Sequence, residues 1–126
     1  MVGGNVVSYR LIPMALVLAV YPVASEAKCQ WTGPGFQPVE NDTRTYVGTC
    51  DDKGRQATFS PGTGYFFRSV SVASRPKHGK LETFKYGFEY RPKKGYRGPE
   101  RFSVKVCATR DERNGCSTLI YELTVQ

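Results

Sequence analysis

The sequence predicts an all-β fold, an antiparallel sandwich of about seven short strands. Three observations predict it. No window sets apolar residues at i, i+3, i+4 and i+7 over three turns, as an amphipathic helix needs. Alternating runs rich in Val, Tyr, Phe and Thr recur instead, separated by Gly, Pro, Asn and Asp. The 126-residue chain has four cysteines, all beyond residue 28. Covalent staples of that kind help a small domain whose core is modest.

The first element is not a strand. Arg10 precedes an apolar stretch, Leu11 to Val20, interrupted only by Pro13. That stretch is shorter than the about 20 apolar residues that span a bilayer. It suits the hydrophobic region of a secretory signal. Pro22 ends any helix, and Ser25-Glu26-Ala27 sets small residues three and one positions before a cut. The expectation is a cleaved signal peptide over residues 1–27. Cleavage after Ala24 and an uncleaved membrane anchor stay open. Cys29 stands too far beyond the apolar run for a lipoprotein. The expected destination is secreted or periplasmic, where disulfides persist.

Residues 28–126 form one domain, with no visible repeat and no low-complexity linker. Strands are expected at Phe36 to Val39, Thr45 to Thr49 and Gln56 to Phe59. Ser60-Pro61-Gly62-Thr63-Gly64 reads as a turn, followed by a long strand, Tyr65 to Ala73. Gly79 to Phe84 and Gly87 to Arg91 read as a hairpin around Lys85-Tyr86. Arg101 to Ala108 and Ser117 to Val125 are the clearest strands and form a second hairpin. Strands this short and this closely spaced indicate a sandwich or barrel.

The second hairpin fixes its own register. Phe102, Val104 and Val106 share one face of its first strand, and Leu119, Tyr121, Leu123 and Val125 share one face of its second. Directly opposed residues of an antiparallel pair lie on the same face. Setting Cys107 opposite Cys116 puts Val104 opposite Leu119 and Phe102 opposite Tyr121. The apolar faces match in the register that joins the cysteines, which predicts an outer-face disulfide closing a loop from Ala108 to Gly115. Cys29 then pairs with Cys50 by elimination. The competing arrangement joins Cys50 to Cys107 across two sheets.

The order of motifs carries a resemblance. Arg75-Pro76-Lys77-His78-Gly79-Lys80-Leu81 is followed by Gly87-Phe88-Glu89-Tyr90-Arg91-Pro92, then by Gly95-Tyr96-Arg97-Gly98-Pro99-Glu100-Arg101-Phe102-Ser103-Val104. This resembles bacterial immunoglobulin-like and cadherin-like repeats, with their Pro-x-His-Gly, Tyr-x-Pro and Gly-Tyr-x-Gly-x-Asp-x-Phe segments. The resemblance covers about residues 70–107 and implies an immunoglobulin-like sandwich. Glu100 stands where the family usually has Asp. Calcium, which some relatives hold between successive repeats, is not carried over to one repeat. Gly79, Gly95 and Gly98 suit turns or close backbone approach. Pro76, Pro92 and Pro99 punctuate strand ends. Tyr90 and Phe102 suit the core, and Tyr96 suits a hydroxyl folded back onto backbone.

Charge is the main functional signal. The chain carries a net charge of +7, and residues 75–105 alone contain ten Lys and Arg against three Glu. Such a concentrated patch attracts polyanions. The candidate polyanion-binding residues are Lys77, Lys80, Arg91, Lys93, Lys94 and Arg97. Lys53 and Arg55 stand outside that segment as a comparison. Phe84, Tyr86, Phe88 and Tyr90 alternate with Lys85, Gly87, Glu89 and Arg91. Basic grooves with aromatic platforms bind single-stranded nucleic acid, but an amphipathic sheet with its aromatics inward explains the same pattern.

Catalytic signatures are missing from the pattern. His78 is the single histidine, so nucleophilic chemistry has one candidate base. Asp51-Asp52-Lys53-Gly54 reads as a turn. The cysteines lack the close spacing of a zinc site, and neither Asp51-Asp52 nor Asp111-Glu112 has calcium-loop spacing. The expected function is a non-enzymatic binding or adhesion module without cofactor or metal, docking a basic face on an acidic envelope or extracellular polymer. The alternative is a structural or inhibitory protein-interaction domain of an envelope assembly.

Overall fold

A computed structural model of the chain describes residues 29–60 and 62–126. The expected signal peptide, residues 1–27, lies outside the described residues. Eight strands follow in order: β1 (Cys29–Thr32), β2 (Thr43–Cys50), β3 (Arg55–Thr58), β4 (Phe66–Ser74), β5 (Gly79–Phe84), β6 (Gly87–Pro92), β7 (Gly98–Arg110) and β8 (Arg113–Val125). They form a five-stranded sheet, β1-β2-β8-β7-β4, and a three-stranded sheet, β3-β6-β5. The all-β, two-sheet architecture is the one the alternating runs predict. All neighbours run antiparallel except β2 and β8, which run parallel over eight residue pairs.

The β7–β8 hairpin has the expected register, with Cys107 opposite Cys116, Val104 opposite Leu119 and Phe102 opposite Tyr121. Its disulfide is Cys107–Cys116, and Cys29–Cys50 is the other. Both join directly opposed residues of antiparallel neighbours. The segment between Cys107 and Cys116 is not the open loop expected from Ala108 to Gly115. Pairing continues to Arg110–Arg113, and Asp111 and Glu112 make a two-residue turn with φ of 52° and 62°. Positive φ at both positions matches the right-handed strand twist that a tight hairpin needs.

The first expected strand, Phe36 to Val39, is not one. Pro38–Glu40 instead forms a short 3-10 helix with Pro at its start and Asn41 in the left-handed region as its cap. Pro lacks the N–H a strand would donate, and its fixed φ suits the first helical position. The strand at this end of the chain is β1, four residues held against β2 by Cys29–Cys50.

An aromatic column fills the space between the sheets. Tyr46, Tyr121 and Phe102 lie in one row across β2, β8 and β7. Their rings stack at centroid distances of 5.1 Å, and Tyr90 from the other sheet stacks on Phe102 at 4.9 Å. Phe88 meets Phe102 and Tyr121 edge-on. Tyr90, Phe102 and Phe88 are fully buried. Burial pushes the Tyr121 hydroxyl well above its usual range. The Tyr90 hydroxyl is pushed up by burial and then by the Glu100 carboxylate it serves.

Candidate functional site

The strand registers gather three loops at one end of the sandwich. These are residues 51–54 between β2 and β3, 75–78 between β4 and β5, and 93–97 between β6 and β7. Cys29 and Gln126 belong to the same end, since the Gln126 amide donates to the Cys50 carbonyl. Each of the three loops carries cations: Lys53, Arg75 and Lys77, and Lys93, Lys94 and Arg97.

A buried carboxylate holds this end together. Glu100, 5% exposed, accepts hydrogen bonds from the amides of Lys77 (3.1 Å), His78 (2.9 Å) and Arg101 (3.1 Å). It also accepts the Tyr90 hydroxyl at 2.9 Å. Four donors satisfy a buried charge that would otherwise be costly. The arrangement ties the 75–78 loop to β7 and to the aromatic column. Glu100 is therefore saturated from within and points no free lone pair at a ligand.

Other motif residues take structural places too. The Tyr96 hydroxyl donates back to the Pro99 carbonyl, and its ring stacks on His78 at 4.0 Å with the two planes nearly parallel. His78 is thus covered by Tyr96, and its carbonyl accepts the Lys93 amide at 2.7 Å. Gly95 and Gly98 have φ of 85° and 135°. In the 51–54 loop, the Lys53 amide donates to Asp51 at 2.8 Å, the turn expected of an Asp-rich segment. Gly54, at φ 72°, lies so close to the Tyr90 carbonyl that a Cβ there would stand 2.0 Å from it. Glycine is what lets this turn press onto β6 and hold Lys53 beside it.

The cations fall into place unevenly. Lys80 and Arg91 are directly opposed on β5 and β6 and face outward. Lys77, Lys80, Arg91 and Lys93 line one depression of about 360 Å³. Lys94 joins Arg91 and Lys53 around a second depression of about 530 Å³. Arg97 is exposed but lines neither. Arg91 is partly neutralised by Glu89 at 2.9 Å. Among the described residues Lys53, Lys77, Lys80, Lys93 and Lys94 have no acidic side chain within 4.0 Å.

Lys53, set outside the patch by its position in the sequence, is a member of it. Its place depends on the pairing of β3 with β6, which no local pattern announces. Arg55 is a poor comparison for another reason: its guanidinium sits 4.4 Å over the Trp31 ring and donates to the Cys29 carbonyl. The aromatics that interleave with charge in sequence separate in space from the lysines of the basic end; Lys85 alone stays with them, 5.5 Å over the Tyr86 ring. Phe88 and Tyr90 are buried, whereas Phe84 and Tyr86 are exposed at the far tip of the β5–β6 hairpin. Five residues part Gly79 from Phe84, about 17 Å along a strand.

No protein-family model matches this chain, and no curated protein matches it as a relative.

Proposed function

We propose that this chain is an exported, non-enzymatic binding module that docks its basic end on an acidic envelope or extracellular polymer. The observation that carries this reading is the convergence of Lys53, Lys77, Lys93 and Lys94 from three loops and of Lys80 from β5, without acidic partners within 4.0 Å among the described residues. Unpaired cations on one surface raise the local potential and draw a polyanion in. The two disulfides support an oxidising destination. The places taken by Tyr90, Tyr96, Glu100 and Phe102 support grouping the domain with bacterial immunoglobulin-like and cadherin-like repeats.

Retention on immobilised heparin tests the reading. Lys80→Ser, Lys93→Ser and Lys94→Ser together should weaken binding about 30-fold at low salt. Replacing three exposed cations elsewhere, Arg68, Lys85 and Lys105, removes the same charge and should change it less than threefold. Equal losses from the two triple variants would sink the localised site.

A second reading rests on β4. It is an edge strand of nine residues whose outer side is unpaired among the described residues, with Phe66 72% exposed at its start. Such an edge accepts an added strand from a partner protein, in keeping with a structural or inhibitory role in an envelope assembly. Strand addition should survive salt that abolishes polyanion binding.

A further inference from the structure

The geometry points to an extended acidic polysaccharide as the ligand, bound along a continuous cationic track and not at a single anion pocket; this rests on the basic-end reading above. The depressions at this end share walls. Lys77 lines both the 360 Å³ depression and a larger cleft of about 590 Å³, which Arg75 and His78 also line. Arg91 and Pro92 in turn divide the 360 Å³ depression from the one that holds Lys53 and Lys94. The three hollows follow one another around the end of the sandwich, from Arg75 through Lys77, Lys80 and Lys93 to Lys53. Each is open, so none encloses a compact ligand.

The acidic groups along the track are largely engaged. Glu100 is saturated by its four donors, and Glu122 pairs with Arg101 at 3.3 Å. Asp52, exposed beside Lys53, and Glu82, exposed beside Lys80, are the exceptions. A chain with one charge per sugar can therefore meet cations repeatedly along its length. Single-stranded nucleic acid would also need exposed rings for its bases. The track lacks them among the described residues: Tyr96 is stacked on His78, Tyr90 is buried, and Phe84 and Tyr86 are at the other end of the hairpin. Lys53 and Arg75 lie at the two extremities, so they should matter only to ligands long enough to reach them.

Oligogalacturonates of two to twelve residues, titrated into the disulfide-bonded chain, test this. Affinity should climb with length and then level off. Lys53→Ser with Arg75→Ser should lower affinity about tenfold for the longest oligomers and less than twofold for the shortest. Affinity independent of length, or equal losses at all lengths, would overturn the track and leave the basic end as a point site. Failure of every oligomer and of heparin to bind would overturn both readings. A single-stranded oligothymidylate of matched charge that bound as tightly as the longest oligogalacturonate would overturn the polysaccharide assignment.

Discussion

The two ends of the sandwich handle charge in opposite ways. At the end that holds the β7–β8 turn, arginines are paired: Arg44 with Asp42, Arg110 with Asp111 and Arg113 with Glu40. That end is also capped by rings, with Phe36, Phe59, Phe67 and Tyr86 in successive contact and Arg110 lying over Tyr65. At the other end Arg91 and Arg101 are paired with Glu89 and Glu122, but the buried Glu100 spends its acceptors on backbone and Tyr90, and Lys53, Lys77, Lys80, Lys93 and Lys94 have no acidic partner within 4.0 Å among the described residues. Stability and display are thereby separated. The basic end is held by a disulfide and a buried carboxylate, so its surface cations are not needed to hold the fold.

Four perturbations can break or sharpen that contrast. The largest effect should come from Cys29→Ala with Cys50→Ala, which opens a crosslink of sequence separation 21. Chain entropy puts the loss at about 3 kcal/mol, against somewhat less for Cys107→Ala with Cys116→Ala, whose separation is 9. Urea unfolding of the two double variants measures the difference, and a reversed order would show that the hairpin clasp matters more than the basic-end staple.

Glu100→Gln should cost about 2 kcal/mol, because each carboxylate oxygen accepts two donors and the N–H₂ of an amide would face two of the four. Amide exchange should quicken first at Lys77 and His78. Were exchange at those two amides unchanged, Glu100 would not be what ties the loop to the core.

Asp42 tests the paired end. Its partial burial works against ionisation, but the Ser117 hydroxyl, the Gln37 amide and Arg44 outweigh this and hold its carboxyl below the usual value of 3.8. A depressed carboxyl lends stability that is present above pH 3.8 and is lost as pH falls through the folded value. Asp42→Asn should cost about 1 kcal/mol at neutral pH. Its gap from the parent should narrow as pH falls below 3.8 in acid titrations followed by circular dichroism; a gap constant with pH would contradict the ionised role.

The smallest effect is a gain. Glu112 occupies a positive-φ turn position that glycine takes without steric cost. Glu112→Gly should raise stability by about 0.5 kcal/mol, read as a small rise in Tm, with heparin retention unchanged at the distant basic end.

How much of this was legible in the sequence depended on whether a signal was local. The β7–β8 register could be read because two long alternating strands and a cysteine pair all demanded it. The Lys85-Tyr86 hairpin had equally local signals. The position of β1 did not, since Cys-Gln-Trp-Thr is a strand only by virtue of β2 across from it. Phe36 to Val39 looked extended, but Pro38 made it a helical turn. Most of the basic patch could be read from one stretch of chain. Lys53 could not, and neither could the spatial parting of Phe84 and Tyr86 from the lysines, because both follow from pairing between strands far apart in sequence or from the position of a turn.

The parallel β2–β8 pair has a mechanical consequence. Cys29 is stapled to Cys50, Cys50 lies beside Val125, and Gln126 follows directly. A pulling force applied between residues 29 and 126 would thus act on the same end of two side-by-side strands. It would peel them apart one rung at a time instead of shearing all eight pairs together. A domain loaded that way yields at lower force than one whose parallel strands are pulled from opposite ends.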